Sequence, residues 1–385
     1  MTVTHPEGFR AAGIAAGIKA SGKPDLALVV NDGPQFAAAG VVTRNKVKAA
    51  PVLWTEQVLQ FGTLRAVVLN SGGANACTGP QGFQTTHATA EKAAELLGCG
   101  AVEIAVCSTG LIGEQLPRQT VLDGVAAAHA ALAGGEEAGQ AAATAIMTTD
   151  TVAKTVAYTD PAGWRIGGMT KGAGMIAPSM ATMLSVLTTD AALDAAALDE
   201  ALRAAVRVSF DRLDIDGSMS TNDTVVLMAS GAAGPADPAA FTEALTVACR
   251  DLAAQMQADA EGVTKRATIV VRGAASEDDA VLAARTIARD SLVKTALFGS
   301  DPNWGRIAAA VGYSGAELDP ERLDITINGV LLCKGGCAAG DRSAADLIGP
   351  DVLVEVELGV GSAEAEIRTT DLSHAYVEEN SAYSS

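Results

Sequence analysis

The chain has 385 residues, of which 49% are hydrophobic and 4% aromatic, and its formal net charge is −18. That length can bury a sizeable core, in two domains or in one large layered one. The acidity argues against a nucleic-acid partner or an anionic membrane, since both demand a basic surface.

No run approaches the roughly 18 apolar residues of a membrane helix, and Met1 to Gly13 lacks the apolar centre of a signal peptide. A soluble cytoplasmic protein is expected. The cysteines Cys77, Cys99, Cys107, Cys249, Cys333 and Cys337 are scattered, and no histidine lies near the one close pair, Cys333 and Cys337. Reduced thiols are expected, with no metal and no cofactor.

In chain order, residues 1–80 read as β-rich. Apolar runs at Leu26 to Val30, Gly40 to Thr43 and Ala66 to Leu69 each end in turn residues. Asn70-Ser-Gly-Gly-Ala-Asn-Ala76 follows as a polar loop, able to line a site or merely to turn the chain. Thr85 to Leu97 reads as a helix and Val102 to Val106 as a buried strand running into Cys107-Ser-Thr-Gly110. Alanine-rich helices follow around Pro117 to Leu132 and Glu136 to Met147. A hydroxyl cluster, Thr148-Thr-Asp-Thr151, then leads into a strand at Val152 to Tyr158.

The stretch Lys171 to Asp190 divides in two. Through Met180 its glycines, proline and serine predict a loop; from Thr182 to Thr188 it is short, apolar and β-rich, as a buried strand is. Leu198, Leu202 and Val206 give Asp194 to Val208 a helical stripe, with Arg203 and Arg207 placed late to suit the helix dipole. Thr224 to Met228 is a strand, and Phe241 to Met256 a helix with Gly262 as its stop. Ala267 to Val271 is a strand, and Ser276 with Asp279 caps a helix running to about Asp290. Asn328-Gly329 is a hairpin turn, and Val352 to Leu358 alternates as an antiparallel strand with one wet face does. The expectation is a layered α/β fold with mixed or antiparallel sheets and helices packed outside.

Two kinds of chemistry compete for the Lys171 loop. Gly172-Ala-Gly174-Met-Ile-Ala177 fits a dinucleotide-binding fingerprint, but Pro178 falls inside the required helix and Trp164 to Gly168 makes a poor buried strand. The alternative starts at Thr182, a strand-opening threonine behind the small residue Ala181. Cutting the Ala181–Thr182 bond would free an α-amine able to act as base for the threonine's own hydroxyl. Such an amine has a pKa of about 7.7–8.0 and needs little tuning.

An oxyanion would then need donors, and the Thr109 hydroxyl with the Gly110 N–H can supply them. Lys171, a cation in an acidic protein, is either a solvated charge or the receiver of a substrate carboxylate. Glu261, at the C-terminal end of a helix where the dipole disfavours negative charge, is either surface charge or an amine-binding group. The stretches 209–224 and 298–306 read as pocket wall or rigid turn.

Cys107-Ser-Thr-Gly110, Lys171-Gly-Ala-Gly-Met175, Met180-Ala-Thr-Met-Leu184, Ser220-Thr-Asn-Asp-Thr224, Asp301-Pro-Asn-Trp-Gly-Arg306 and Asn380 together make the chain resemble the ornithine acetyltransferases of arginine biosynthesis, from about Gly8 to Ser385. The resemblance implies two mixed sheets between helical layers, an αββα sandwich of the N-terminal-nucleophile kind. It implies self-cleavage into an α chain, 1–181, and a β chain, 182–385, that stay together as an α2β2 heterotetramer.

It also implies that Thr182 takes acetyl from N2-acetyl-L-ornithine and passes it to L-glutamate. Thr109 and Gly110 match the oxyanion pair, and Thr148, Lys171, Thr182, Glu261, Asn380 and Ser385 match substrate-contacting positions. Members of that family differ in whether acetyl-CoA is also a donor, and no coenzyme-A motif decides it here. The rival readings are an N-terminal-threonine amidase or aminopeptidase, in which water replaces glutamate, and a nucleotide-binding or structural protein that is never cut.

Overall fold

Apolar runs become strands and small-residue stripes become helices in a computed structural model that describes residues 2–177 and 183–382. Ala181, Thr182 and Ser385 lie outside the described residues. The chain divides into two units, one of residues 2–211 and 218–256, the other of 212–217 and 257–382.

The first unit contains strands β1 (Phe9–Ile14), β2 (Leu26–Asn31), β3 (Ala37–Val42), β4 (Ala66–Ser71), β5 (Ile104–Thr109), β6 (Lys154–Thr159), β7 (Arg165–Lys171), β8 (Leu184–Ala192) and β9 (Thr224–Pro235). One sheet has the order β1-β2-β4-β5 and the other β3-β9-β8-β7-β6. Both are mixed: β4/β5 and β8/β9 pair parallel and the remaining neighbours antiparallel. Residues of both sheets, among them Val29, Val67, Val106, Val186 and Val226, enter one apolar core. The helices are α1 (Ala50–Leu59), α2 (Gly79–Leu97), α3 (Arg118–Ala130), α4 (Glu136–Ala145), α5 (Ala195–Arg207) and α6 (Pro238–Ala258).

Alpha5 shows why such a helix forms. The Asp194 carboxylate accepts the Ala197 N–H at 2.8 Å as an N-cap, and Leu198, Ala201, Leu202, Ala205 and Val206 form the buried face. Each fully buried leucine or valine there contributes about 1.5–3 kcal/mol.

The second unit holds β10 (Arg266–Ala274), β11 (Asp324–Ile327), β12 (Val330–Lys334), β13 (Cys337–Ala338), β14 (Asp351–Glu357) and β15 (Ala363–Thr370), in the order β13-β12-β11-β14-β10-β15. Its helices are α7 (Glu277–Arg289), α8 (Ser291–Phe298), α9 (Trp304–Tyr313) and α10 (His374–Ala382). Ser276 caps α7 by accepting from Asp279 N, and Asn328 and Gly329 turn between β11 and β12 with φ of 45° and 79°. Among the described residues no helix is long and apolar enough to cross a membrane.

The mixed α/β class agrees with the sequence, and several local readings do not. Trp164 to Gly168 belongs largely to the buried strand β7. Its glycines suit a place where a Cβ would meet Thr2 O at 2.2 Å, or Leu187 Cδ2 at 2.8 Å and Val156 Cγ1 at 2.9 Å. Alpha1 interrupts the supposedly β-rich start; its burial on several sides erases any helical stripe. Beta14 keeps the expected alternation but pairs parallel with β10 and antiparallel with β11. Alternation reports which face is wet, not strand direction. Phe298 to Arg306, expected as pocket wall or rigid turn, runs from the end of α8 into α9, which Asn303 caps.

Candidate active site

Beta7 and β8 are antiparallel neighbours with Lys171 opposite Leu184, so the sheet anchors both ends of residues 172–183. Lys171 is 1% exposed, which overturns the solvated-charge reading. Its Nζ donates to Thr109 Oγ1 at 3.4 Å and lies 4.0 Å from Asp150 Oδ2.

Asp150 is the partner that sequence reading missed; it stood inside a hydroxyl cluster and received no role. Its Oδ1 accepts from Lys154 Nζ at 2.6 Å and from Gly172 N at 2.7 Å, and its Oδ2 accepts from Thr148 N at 3.0 Å. Burial alone would raise the pKa of Asp150. The Lys171 and Lys154 ammoniums, with the hydrogen bonds from Lys154 and the Thr148 amide, bring it down to about 2 instead. One carboxylate thus holds the Thr148 amide, the first amide after Lys171 and two buried lysines in one place. Of the two adjacent threonines, it is the amide of Thr148 that it fixes.

Thr109 ends β5 and is buried. Its oxygen accepts from Lys171, so its own proton remains available to donate outward. Gly110 has φ +129°, and a Cβ there would lie 2.5 Å from Gly73 N. Gly73 N in turn donates to Thr109 O at 3.0 Å. The Asn70–Ala76 loop is therefore a brace for the Thr109–Gly110 pair, and a side chain at 110 would push the two apart.

The 209–224 stretch does build a wall in its last residues. Asn222 Nδ2 donates to Ala74 O at 2.6 Å and to Ser108 O at 2.8 Å, tying this stretch to the brace and to β5. Beside it Asp223 Oδ1 accepts the Met183 N–H at 2.9 Å. Cys107 has its thiol pushed up to about 12 by burial, which leaves it inert as a nucleophile.

Glu261 and Asn380 belong to the second unit. Glu261 lies beyond the last residue of α6 rather than within the helix, as does Gly262, so neither ends it. The Asn380 amide on α10 donates to Glu261 Oε2 at 2.9 Å and to Tyr376 O at 3.0 Å. Asn380 is exposed and Glu261 partly so. Thus Thr109, Gly110, Thr148 and Lys171 are gathered in one unit, and Glu261 with Asn380 in the other.

A hydroxyl and a glycine amide braced at a strand end, beside a buried ammonium, form a centre suited to acyl transfer. A model of the ArgJ family matches residues 10–385, and the chain belongs to that family. It is 64% identical to the arginine biosynthesis bifunctional protein ArgJ of Mycolicibacterium paratuberculosis, covering 100% of this chain and 96% of that relative. The protein of the same description from Streptomyces coelicolor is 58% identical, with 100% of each chain covered. The crystal structure of ornithine acetyltransferase complexed with ornithine, from Mycobacterium tuberculosis, aligns at 61% identity and a TM-score of 0.46, over 48% of this chain and 96% of that one. The chain is accordingly an acetyltransferase of arginine biosynthesis, and the amidase and nucleotide-binding readings are set aside.

Proposed function

We propose that the chain cleaves itself between Ala181 and Thr182, and that Thr182 then carries acetyl from N2-acetyl-L-ornithine to L-glutamate as an ester. The observation that carries this reading is the Thr109–Gly110 pair held against Lys171 and Asp150 at one end of the β7–β8 connection. The freed Thr182 amine takes the hydroxyl proton as the oxygen attacks the acetyl carbonyl. Thr109 and Gly110 receive the oxyanion, and ornithine leaves with the proton. Glutamate's amine then attacks the ester and restores the hydroxyl.

Two buried ammoniums beside one ionised carboxylate leave a positive excess, which suits the α-carboxylate common to both amino acids. Thr148 and Lys171 orient that end, while Glu261, Asn380 and Ser385 take the rest of the substrate. The word bifunctional in the relatives' name supports acetyl-CoA as a second donor for glutamate. We further infer α chains (1–181) and β chains (182–385) assembled as an α2β2 heterotetramer in the cytoplasm. Beta8 lies between β7 and β9, so both sides of the cut stay anchored in one sheet.

Intact-mass analysis of wild type beside Thr182→Ala tests the cleavage. Two fragments, one opening with Thr182, are expected from the first and one full-length species from the second. Labelled acetyl from acetylornithine should then reside on Thr182. Label on another side chain, or a full-length active wild type, would overturn the reading.

A further inference from the structure

Asp223 has no part in the acetyl transfer set out above, yet it is fully buried and placed with care. Beta8 and β9 run parallel with Leu184 level with Thr224, so the residues just before each strand are also neighbours. That is why Asp223 Oδ1 accepts the Met183 N–H, the amide next in the chain after Thr182. The other oxygen, Oδ2, is enclosed and forms no hydrogen bond among the described residues. Buried carboxyl oxygens are rarely left so, because an unmet polar group costs about 1–3 kcal/mol.

The charged group facing this carboxyl is Lys171 of β7, which Asp150 already neutralises in part; the hydroxyls of Thr43 and Ser220 flank it without closing a bond on Oδ2. Burial pushes the acid well above the carboxylate range, and the Met183 amide, Lys171 and the two hydroxyls only temper that rise. Burial thus favours the protonated form of this carboxyl. Asn222 beside it fixes the same loop to Ser108 and Ala74, so the acid stands on a braced support.

Resting on the self-cleavage reading, we propose that Asp223 is the acid of that cleavage, delivering a proton from Oδ2 to the nitrogen of Thr182. The Thr182 oxygen attacks the Ala181 carbonyl carbon, a carbon–oxygen bond forms and the carbon–nitrogen bond breaks. The departing nitrogen takes the Asp223 proton, and the proton lost by the hydroxyl returns to the carboxylate. Water then hydrolyses the ester, releasing the Ala181 carboxylate and restoring the hydroxyl.

The test follows freshly synthesised full-length chain by intact mass over a pH series, comparing wild type, Thr182→Ala and Asp223→Asn. Asparagine keeps an acceptor for the Met183 N–H but cannot pass a proton. Cleavage of Asp223→Asn should be about 100-fold slower or worse, with its melting temperature no lower than that of Thr182→Ala. Wild-type cleavage should slow as pH rises through a single ionisation that Asp223→Asn lacks, a change that a structural role would not produce. Should Asp223→Asn fail to fold, the wild-type profile decides: a rate level or rising with pH sinks the proposal. If wild type is cut, Thr182→Ala is not, and Asp223→Asn is cut at the wild-type rate, the role of Asp223 alone falls. An uncut wild type, or a cut Thr182→Ala, would remove the self-cleavage reading beneath it.

Discussion

Two groups of predicted substrate contacts are built in opposite ways. Lys171 and Thr148 are held by Asp150, a buried carboxylate that also binds Lys154, and none of these three charged side chains is more than 2% exposed. Glu261 and Asn380 meet at the surface, in one side-chain hydrogen bond beyond the end of α6. A buried charge must be satisfied in the fold itself, so its geometry is set before any ligand arrives. A surface pair is wetted in either case and can adjust to its ligand at little cost to the fold. The first group is therefore set before any ligand binds, and the second is adjustable.

Substitutions can break or sharpen this contrast. Asp150→Asn should have the largest effect on stability, since it leaves two buried ammoniums without their carboxylate; a loss of about 3–5 kcal/mol is expected in thermal or urea unfolding. Its pH signature follows from the sign of the shift. The folded pKa, about 2, lies below the ordinary carboxylate value, so this stabilisation is full above about pH 4 and is lost as pH falls towards about 2. The stability gap between wild type and Asp150→Asn should close over that window; a gap unchanged by acid would deny Asp150 its ionic role.

Lys171→Met should leave the Asp150–Lys154 pair standing and damage binding more than folding. Losing a charge-assisted contact worth about 1.5–3 kcal/mol should raise the KM for acetylornithine and for glutamate alike, roughly 10- to 100-fold. A change in one substrate alone would argue against a shared carboxylate site.

Glu261→Gln should shift the melting curve by no more than about 0.5 kcal/mol, yet raise the KM for acetylornithine about tenfold and that for glutamate much less. Asn380→Ala should do the same more weakly, a few-fold in KM, because it removes one exposed hydrogen bond. Equal effects of either substitution on both substrates would erase the distinction between the two groups.

The residues themselves reveal how far sequence could reach. Lys171, Thr109 and Gly110 are visible in sequence because a cation alone in its glycine-rich loop and a hydroxyl–glycine step at a strand end are local signals. Asp150 was not, because an aspartate among threonines reads as a turn until β6 and β7 place Lys154 and Lys171 against it. Asp223 lies within Ser220-Thr-Asn-Asp-Thr224, but its meeting with Met183 depends on the parallel register of β8 and β9. Beta7 was misjudged because its glycines weaken strand propensity, and only the neighbours that crowd them explain their presence.

By itself, then, the chain's order of residues determined the mixed α/β class, most strands and helices, and the family, because periodicity, caps and short motifs are local properties. Tertiary structure alone decided which charges are buried together, what braces Thr109 and Gly110 and which carboxyl faces the Met183 amide. Those depend on register and burial, and the desolvation that turns an ordinary lysine or aspartate into part of a site exists only once distant strands have closed around it.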